Sequence, residues 1–283
     1  MSHSTRTNGA SATDFSSTSS ATQGTAVVTG ASAGLGKIYA DRLAKRGYDL
    51  ILVARRGDRL ETLAKSLRAD YGVAVRTVVA DLGVAADLER VALAISSDKN
   101  ITLVVNNAGT STLGPVATAG TAQLESMNNV NVTALARLSH AILPAFKERD
   151  HGVLINIGSV LGFHTLPISS IYSGTKGYVQ NFTRGLQEEV AGTGVVVQLV
   201  LPSVTATDIW EISGVPLEQL DAASIMSPEA CVDAALAGLD QGETITLPSV
   251  EDSELFVAYD AARAALFAAS QSGKPASRYL TGK

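Results

Sequence analysis

From residue 25 onward, short runs of apolar, often β-branched residues alternate with longer stretches whose apolar positions recur every three or four residues. The short runs predict strands at 25–29, 49–54, 74–80, 101–105, 153–157 and 195–201. The longer stretches predict helices near 35–46, 59–71, 85–96, 121–149 and 171–191. The strand runs are continuously apolar rather than alternating, as in Leu50-Ile51-Leu52-Val53-Ala54. Strands read this way when helices cover both faces of a parallel sheet. Strict alternation without a break in composition predicts one α/β domain over 25–283, built on a doubly wound parallel sheet. Past the regular alternation come a short apolar stretch at 244–247 and a helical run at 252–269, within an extension covering 248–283.

Composition adds limits. The first 24 residues hold 12 Ser or Thr, with Phe15 the only large side chain beyond Met1. Such a segment buries too little apolar area to offset its ordering entropy, so a disordered arm is expected over 1–24. It has no apolar signal core, and Arg6 as its only strong base disfavours an organelle transit peptide. Charged residues make up 17% of the chain, below the usual value of about 25%, so much surface must be buried in the chain or a partner. A net charge of −5 argues against a nucleic-acid or anionic-membrane partner. Cys231 is the single cysteine, which excludes an internal disulfide and multi-cysteine metal sites, and no metal centre is expected. The most apolar stretch, 195–201, is too short to span a bilayer. A soluble, cytoplasmic protein is the expectation.

The first candidate chemistry follows the first strand. Thr29-Gly30-Ala31-Ser32-Ala33-Gly34-Leu35-Gly36 opens the first helix with three glycines. Glycine permits the tight turn, lets backbone approach a pyrophosphate, and allows close helix–strand contact. The new helix then offers unpaired N–H groups and a positive dipole end to phosphate. The spacing is not that of a P-loop, which disfavours a nucleoside triphosphatase. The second strand ends in Arg55-Arg56 with no acid before Asp58. An acid there would suit a ribose 2′-hydroxyl, whereas a guanidinium fork suits a 2′-phosphate, so NADP(H) is expected over NAD(H).

A second group lies farther along. Tyr172-Ser173-Gly174-Thr175-Lys176 places a phenol and an ammonium at i and i+4 on one helical face. A nearby cation favours the phenolate, which suits a general acid or base near neutral pH. Ser159 falls just past the strand at 153–157, and Asn107-Ala108-Gly109 and Asp81-Leu82 end strands at the same sheet edge. Open α/β sheets bind ligands at that edge. Asn131 falls within the long fourth helical stretch.

In combination these motifs resemble the short-chain dehydrogenase/reductase family, in its single-domain Rossmann-type branch, over about residues 25–207. The resemblance implies that Gly30, Ser32, Gly34, Leu35 and Gly36 form a cofactor turn. Asp81 and Leu82 would contact the adenine, and Asn107, Ala108 and Gly109 would line the adenosine side. It further implies a catalytic tetrad of Asn131, Ser159, Tyr172 and Lys176. Ser159 would bond the substrate oxygen and Tyr172 would exchange its proton. Lys176 would lower the Tyr172 pKa and hold the cofactor ribose, while Asn131 would anchor a proton-relaying water. The hydride chemistry belongs to the nicotinamide.

The chain departs from the family at Pro202-Ser203-Val204-Thr205-Ala206-Thr207, where Ser203 replaces a usual glycine. Pro202, Thr205 and Thr207 occupy cofactor-contact positions, but Ser203 puts the local backbone in question and is itself a candidate substrate contact. Residues 208–226 occupy the substrate-lid position. There Ile209, Trp210, Ile212, Val215 and Leu217 read either as an apolar pocket wall or as a helix face packed on the core. Phe163 and His164 are further substrate candidates. The extension lacks the family's tetramer-building tail, so a homodimer through the fourth and fifth helical stretches is expected, with a tetramer as the alternative. The leading functional expectation is an NADP(H)-dependent carbonyl reductase or alcohol dehydrogenase acting on a small apolar ketone or secondary alcohol. A 3-oxoacyl-thioester reductase and a non-catalytic NADP-binding sensor are the alternatives.

Overall fold

A computed structural model describes residues 23–280. Apart from its last two residues, the expected N-terminal arm lies outside the described residues. Seven strands form one parallel sheet in the order β3-β2-β1-β4-β5-β6-β7. They are β1 (Thr25–Thr29), β2 (Asp49–Ala54), β3 (Val75–Val79), β4 (Ile101–Asn106), β5 (Gly152–Ile157), β6 (Val195–Val200) and the two-residue β7 (Ile245–Thr246). The six longer strands agree with the apolar runs to within a residue at each end.

Burial explains why those runs are unbroken. Along β1 and β2, Val28, Leu50 and Leu52 pack on one face of the sheet, while Val27, Ile51 and Val53 pack on the other. Both faces are therefore lined mainly by apolar residues. The first face is covered by α1 (Gly34–Lys45) and α2 (Gly57–Tyr71), through Leu43, Leu60 and Leu67, together with a later helix. The second is covered by α3 (Ala85–Ser97) and by two helices of the central region.

The stretch expected to form one helix at 121–149 is continuous but not uniform. It comprises α4 (Thr121–Met127), a π-helical turn (Asn128–Ala134) and α5 (Leu135–Glu148). α5 buries Leu138, Ile142 and Phe146 on the second face. Next comes α6 (Ser170–Glu189), then α7 (Ile209–Ser213), α8 (Pro228–Asp240) and α9 (Glu254–Ser270). α8 begins well, with Ser227 Oγ accepting from Ala230 N at 3.1 Å and proline in the first turn. It packs Val232 and Leu236 on the first face.

Strand order reverses between β1 and β4, so loops leaving these neighbours diverge and open a crevice at their carboxyl ends. A cluster of buried polar groups ties the same end of the sheet. Thr29 Oγ1 donates to Val105 O at 3.2 Å and accepts from the N–H groups of Asn107 and Ala108, each at 3.0 Å. Asn106 donates to Asn156 Oδ1 on the next strand at 3.0 Å, and Asn156 donates to Thr183 Oγ1 on α6 at 3.1 Å.

Candidate active site

One cavity of about 500 Å³ runs along the carboxyl ends of the strands. Its first end is the turn after β1. Gly30 has φ of +68°, and a Cβ there would stand 2.8 Å from Asn107 Nδ2. At Gly36 a Cβ would meet Gly30 O at 2.4 Å, and at Gly34 it would press on Thr207 at 3.2 Å. Only glycine lets β1, α1 and the loop after β4 approach this closely. The N-cap of α1, Ala33, makes no side-chain hydrogen bond, and the first turn holds no acid. The first N–H groups of α1 are therefore left for an anion at the cavity.

Ser32, Leu35, Arg55, Arg56, Asp81, Leu82, Asn107, Ala108 and Gly109 all line the same cavity. Arg56 turns its Nε to Ser32 Oγ at 3.3 Å and its Nη1 to Asp208 Oδ2 at 3.4 Å. Arg59, three residues further along α2, reaches the same carboxylate oxygen at 3.2 Å. An uncapped helix start, a glycine cradle and arginines within one cleft fit a phosphate-bearing dinucleotide.

The other end holds Ser159, Tyr172 and Lys176. Ser159 follows β5, and its Oγ accepts from Leu161 N at 3.1 Å, which fixes the hydroxyl toward the cavity. Ser159 and Tyr172 line the same end of the cavity. Tyr172 lies in the first turn of α6, with Lys176 one turn on. The Lys176 ammonium donates to Ile157 O at 2.9 Å and sits 5.7 Å from the Tyr172 ring centroid. Burial pushes the phenol up to about 12, with the neighbouring Ser159 hydroxyl pulling the other way, and burial pushes Lys176 down to about 8. In the chain by itself desolvation is the largest influence on the Tyr172 phenol.

Asn131 stands behind the cavity in the π-helical turn. Its Oδ1 accepts from Thr110 N at 2.8 Å, and its Nδ2 donates to Thr110 O at 2.9 Å and to Thr175 Oγ1 at 3.1 Å. Both amide hydrogens are committed to protein, so the side chain ties the loop after β4 to α6. A water of the kind the resemblance implies would have to be held by another atom of Asn131 than its Nδ2.

After β6, Pro202, Ser203, Thr205 and Thr207 border the cleft. Among the described residues Asp150 alone, of the non-glycines, has positive φ, so Ser203 replaces glycine without backbone strain. The lid segment leaves and rejoins the body at one point. Thr205 bridges Met226, with Met226 N donating to Val204 O and Ala206 N to Met226 O, each at 3.0 Å. Trp210 is anchored by Nε1 donating to Thr205 O at 2.8 Å, and its ring lines the cavity with Ile209, Ile212 and Val215. Leu217 does not border the cavity, whereas Leu220 does. Leu113, Leu166 and Ile168 complete the apolar wall. The lid is stitched to this wall by Leu113 N donating to Ser213 O at 2.8 Å, and the wall itself is joined by Gly114 N donating to Ile168 O at 2.7 Å.

Phe163 and His164, expected near substrate, do not line the cavity. Both are exposed, and Phe163 turns outward to meet the Tyr259 ring of α9 at 5.6 Å. Thr29, Arg59, Thr110 and Asp208 escaped the sequence reading. The three-residue spacing of Arg56, just before α2, and Arg59, in its first turn, was a usable signal; the others depend on partners far away in the chain. Among the described residues no group of three His, Cys, Asp or Glu side chains could hold a metal ion. None of the described helices is long and apolar enough to cross a membrane.

Comparison with known proteins agrees with this geometry. The profile of the short chain dehydrogenase family matches residues 24–214. Very-long-chain 3-oxoacyl-CoA reductase-A of Danio rerio is 36% identical over 191 residues, covering 66% of this chain and 60% of that protein. The match thus spans under two thirds of that relative. Among solved structures, a short-chain dehydrogenase from Sphingobium yanoikuyae in complex with NADPH has a TM-score of 0.87 and 39% identity, over 90% of this chain and 100% of the other. The bulky-bulky ketone specific alcohol dehydrogenase from Comamonas testosteroni has a TM-score of 0.85 and 34% identity, over 92% and 100% respectively. A glycine turn at the first strand, a Tyr–Lys pair one helical turn apart beside a serine, and a match over most of the fold lead to one conclusion: the chain belongs to the short chain dehydrogenase family.

Proposed function

We propose that the protein is an NADP(H)-dependent oxidoreductase that interconverts bulky apolar ketones and secondary alcohols. The observation that carries this reading is the cavity in which Ser159 and Tyr172 face an apolar wall of Leu113, Leu166, Ile168 and Trp210, with Arg55 and Arg56 at the far end. The bound nicotinamide supplies or accepts the hydride. The chain supplies position and a proton. Ser159 orients the substrate oxygen, and Tyr172, a protonated phenol throughout the neutral range, gives its proton to that oxygen in the reductive direction. Lys176 keeps a cation beside the phenol, and Asn131 is a positioning residue that holds Thr110 and α6 in register. Arg55 and Arg56 receive the 2′-phosphate, supported by the NADPH complex of the Sphingobium relative.

A second reading, reduction of 3-oxoacyl thioesters, is favoured by the curated relatives, which are very-long-chain 3-oxoacyl-CoA reductases. NADPH consumption with a panel of aryl ketones, aldehydes, keto-esters and 3-oxoacyl-CoA thioesters of increasing chain length separates the two. Turnover confined to the thioesters overturns the ketone reading, and tighter binding of NADH than of NADPH overturns the cofactor assignment. The reading includes a homodimer through α5 and α6, where Tyr178 stacks on Phe182 at 5.5 Å yet remains 40% exposed.

A further inference from the structure

One ionic arrangement in the cleft is left unused by the reaction just described. Asp208 is the first residue of the lid segment and directly follows Thr207, whose side chain faces Gly34 in the phosphate turn. Its Oδ2 alone meets two guanidinium groups, Arg56 through Nη1 and Nη2 at 3.4 and 3.5 Å and Arg59 through Nη1 at 3.2 Å. These contacts are longer than the roughly 2.7–2.9 Å of a close charge-assisted bond. Both pairs are also open to water, with side chains between 42% and 52% exposed. One oxygen shared loosely by two forks leaves several N–H donors without a protein partner, and exposed pairs of this kind are easily exchanged. Of the two, Arg56 lines the cleft beside Ser32 of the glycine turn, where the NADP(H) reading puts a phosphate, and Arg59 stands just behind it through their shared carboxylate. A phosphate offers three oxygens to planar forks where the carboxylate offers one.

We propose that Asp208 competes with the 2′-phosphate of NADP(H) for Arg56 and Arg59, and so ties the lid to cofactor occupancy. The inference rests on the 2′-phosphate reading of the arginines. Without cofactor the carboxylate offsets part of the pair's charge and holds the start of α7 against α2. A phosphate on the arginines leaves Asp208 facing a like charge and releases the first residue of the lid. The base of the lid stays clamped by the Thr205–Met226 bridge and Trp210 is tied to Thr205 O, so the release of Asp208 reaches Trp210 as a local change beside its ring rather than as an opening of the whole lid. Asp208 is thus a residue that lowers affinity for the phosphorylated cofactor and makes its arrival felt at the apolar wall.

Trp210 is the chain's only tryptophan and lies two residues from Asp208, so its emission reads this step directly. The probes are adenosine 2′,5′-bisphosphate and AMP, which differ in the 2′-phosphate and lack a nicotinamide that would absorb the emission. In the wild-type chain the bisphosphate shifts Trp210 emission and AMP does not. Asp208→Asn binds the bisphosphate about three- to tenfold more tightly, keeps its AMP affinity within about twofold, and starts from the shifted emission. Asp208→Ser gives the same direction, and since the side chain is solvent-facing neither change threatens the fold. A wild-type preference for the bisphosphate combined with unchanged or weaker binding by both variants overturns the role of Asp208 and leaves the NADP(H) reading standing. Equal wild-type affinity for the two probes overturns both.

Discussion

Tyr172 and Lys176 illustrate how one helical turn can set two groups against their ordinary chemistry. Burial raises the phenol to about 12 and lowers the ammonium to about 8, so both move toward the neutral form. Since the reductive step consumes the phenol proton, it is insensitive to Tyr172 below pH 12, and Lys176 is the first to lose its charge. Carbonyl reduction is therefore level below about pH 8 and falls above it, as a profile of kcat against pH under saturating cofactor will read. A limb near the ordinary lysine value of about 10.4 would instead place the side chain in water. Tyr172→Phe keeps cofactor affinity within about tenfold and lowers turnover by at least about 10². Near-full turnover in that variant would remove Tyr172 from the reaction. The tyrosine, lysine and serine were legible in the sequence because motif spacing on a helix and at a strand end is local information. Thr29 was not: its four hydrogen bonds at the sheet end involve residues some 76 positions away or more, and no pattern of apolar positions encodes them.

Among the elements, the long central helix departs most from its sequence pattern. A period of three to four residues runs through 121–149, yet residues 128–134 are wound as a π turn. Apolar periodicity cannot register a local widening, because the turns on either side keep their buried faces. The cause is visible only in partners: Asn131 must face Thr110 and Thr175 rather than the core. Asn131→Ala strands the amide and carbonyl of Thr110, and the expected loss of stability is about 1–3 kcal/mol. Urea unfolding of the variant reads this as a lower midpoint at unchanged slope. A midpoint equal to wild type would show that Thr110 finds other partners. The lid was legible as a segment but not as a loop closed at its base, because the Thr205–Met226 bridge joins residues of unrelated pattern.

At the scale of the whole molecule, the low charge content finds only part of its explanation in the two core layers. α9 buries none of its residues, and Leu255, Val257, Leu266 and Phe267 are 56–73% exposed. The proposed dimer through α5 and α6 leads to a direct expectation. Tyr178→Asp puts a charge beside the stacked Phe182, and light scattering then finds a single-copy mass where the unmodified chain gives twice that value. An unchanged mass would move the contact to another surface. The sheet itself constrains where that surface can be. Its β7 border is a ladder of two residues, and its β3 border carries Arg76 paired with Asp98. A strand from another copy would find two residues to grip on one side and a charged rim on the other. Growth of this protein by sheet extension is thereby discouraged, and assembly is left to helix faces, which can close on themselves and stop.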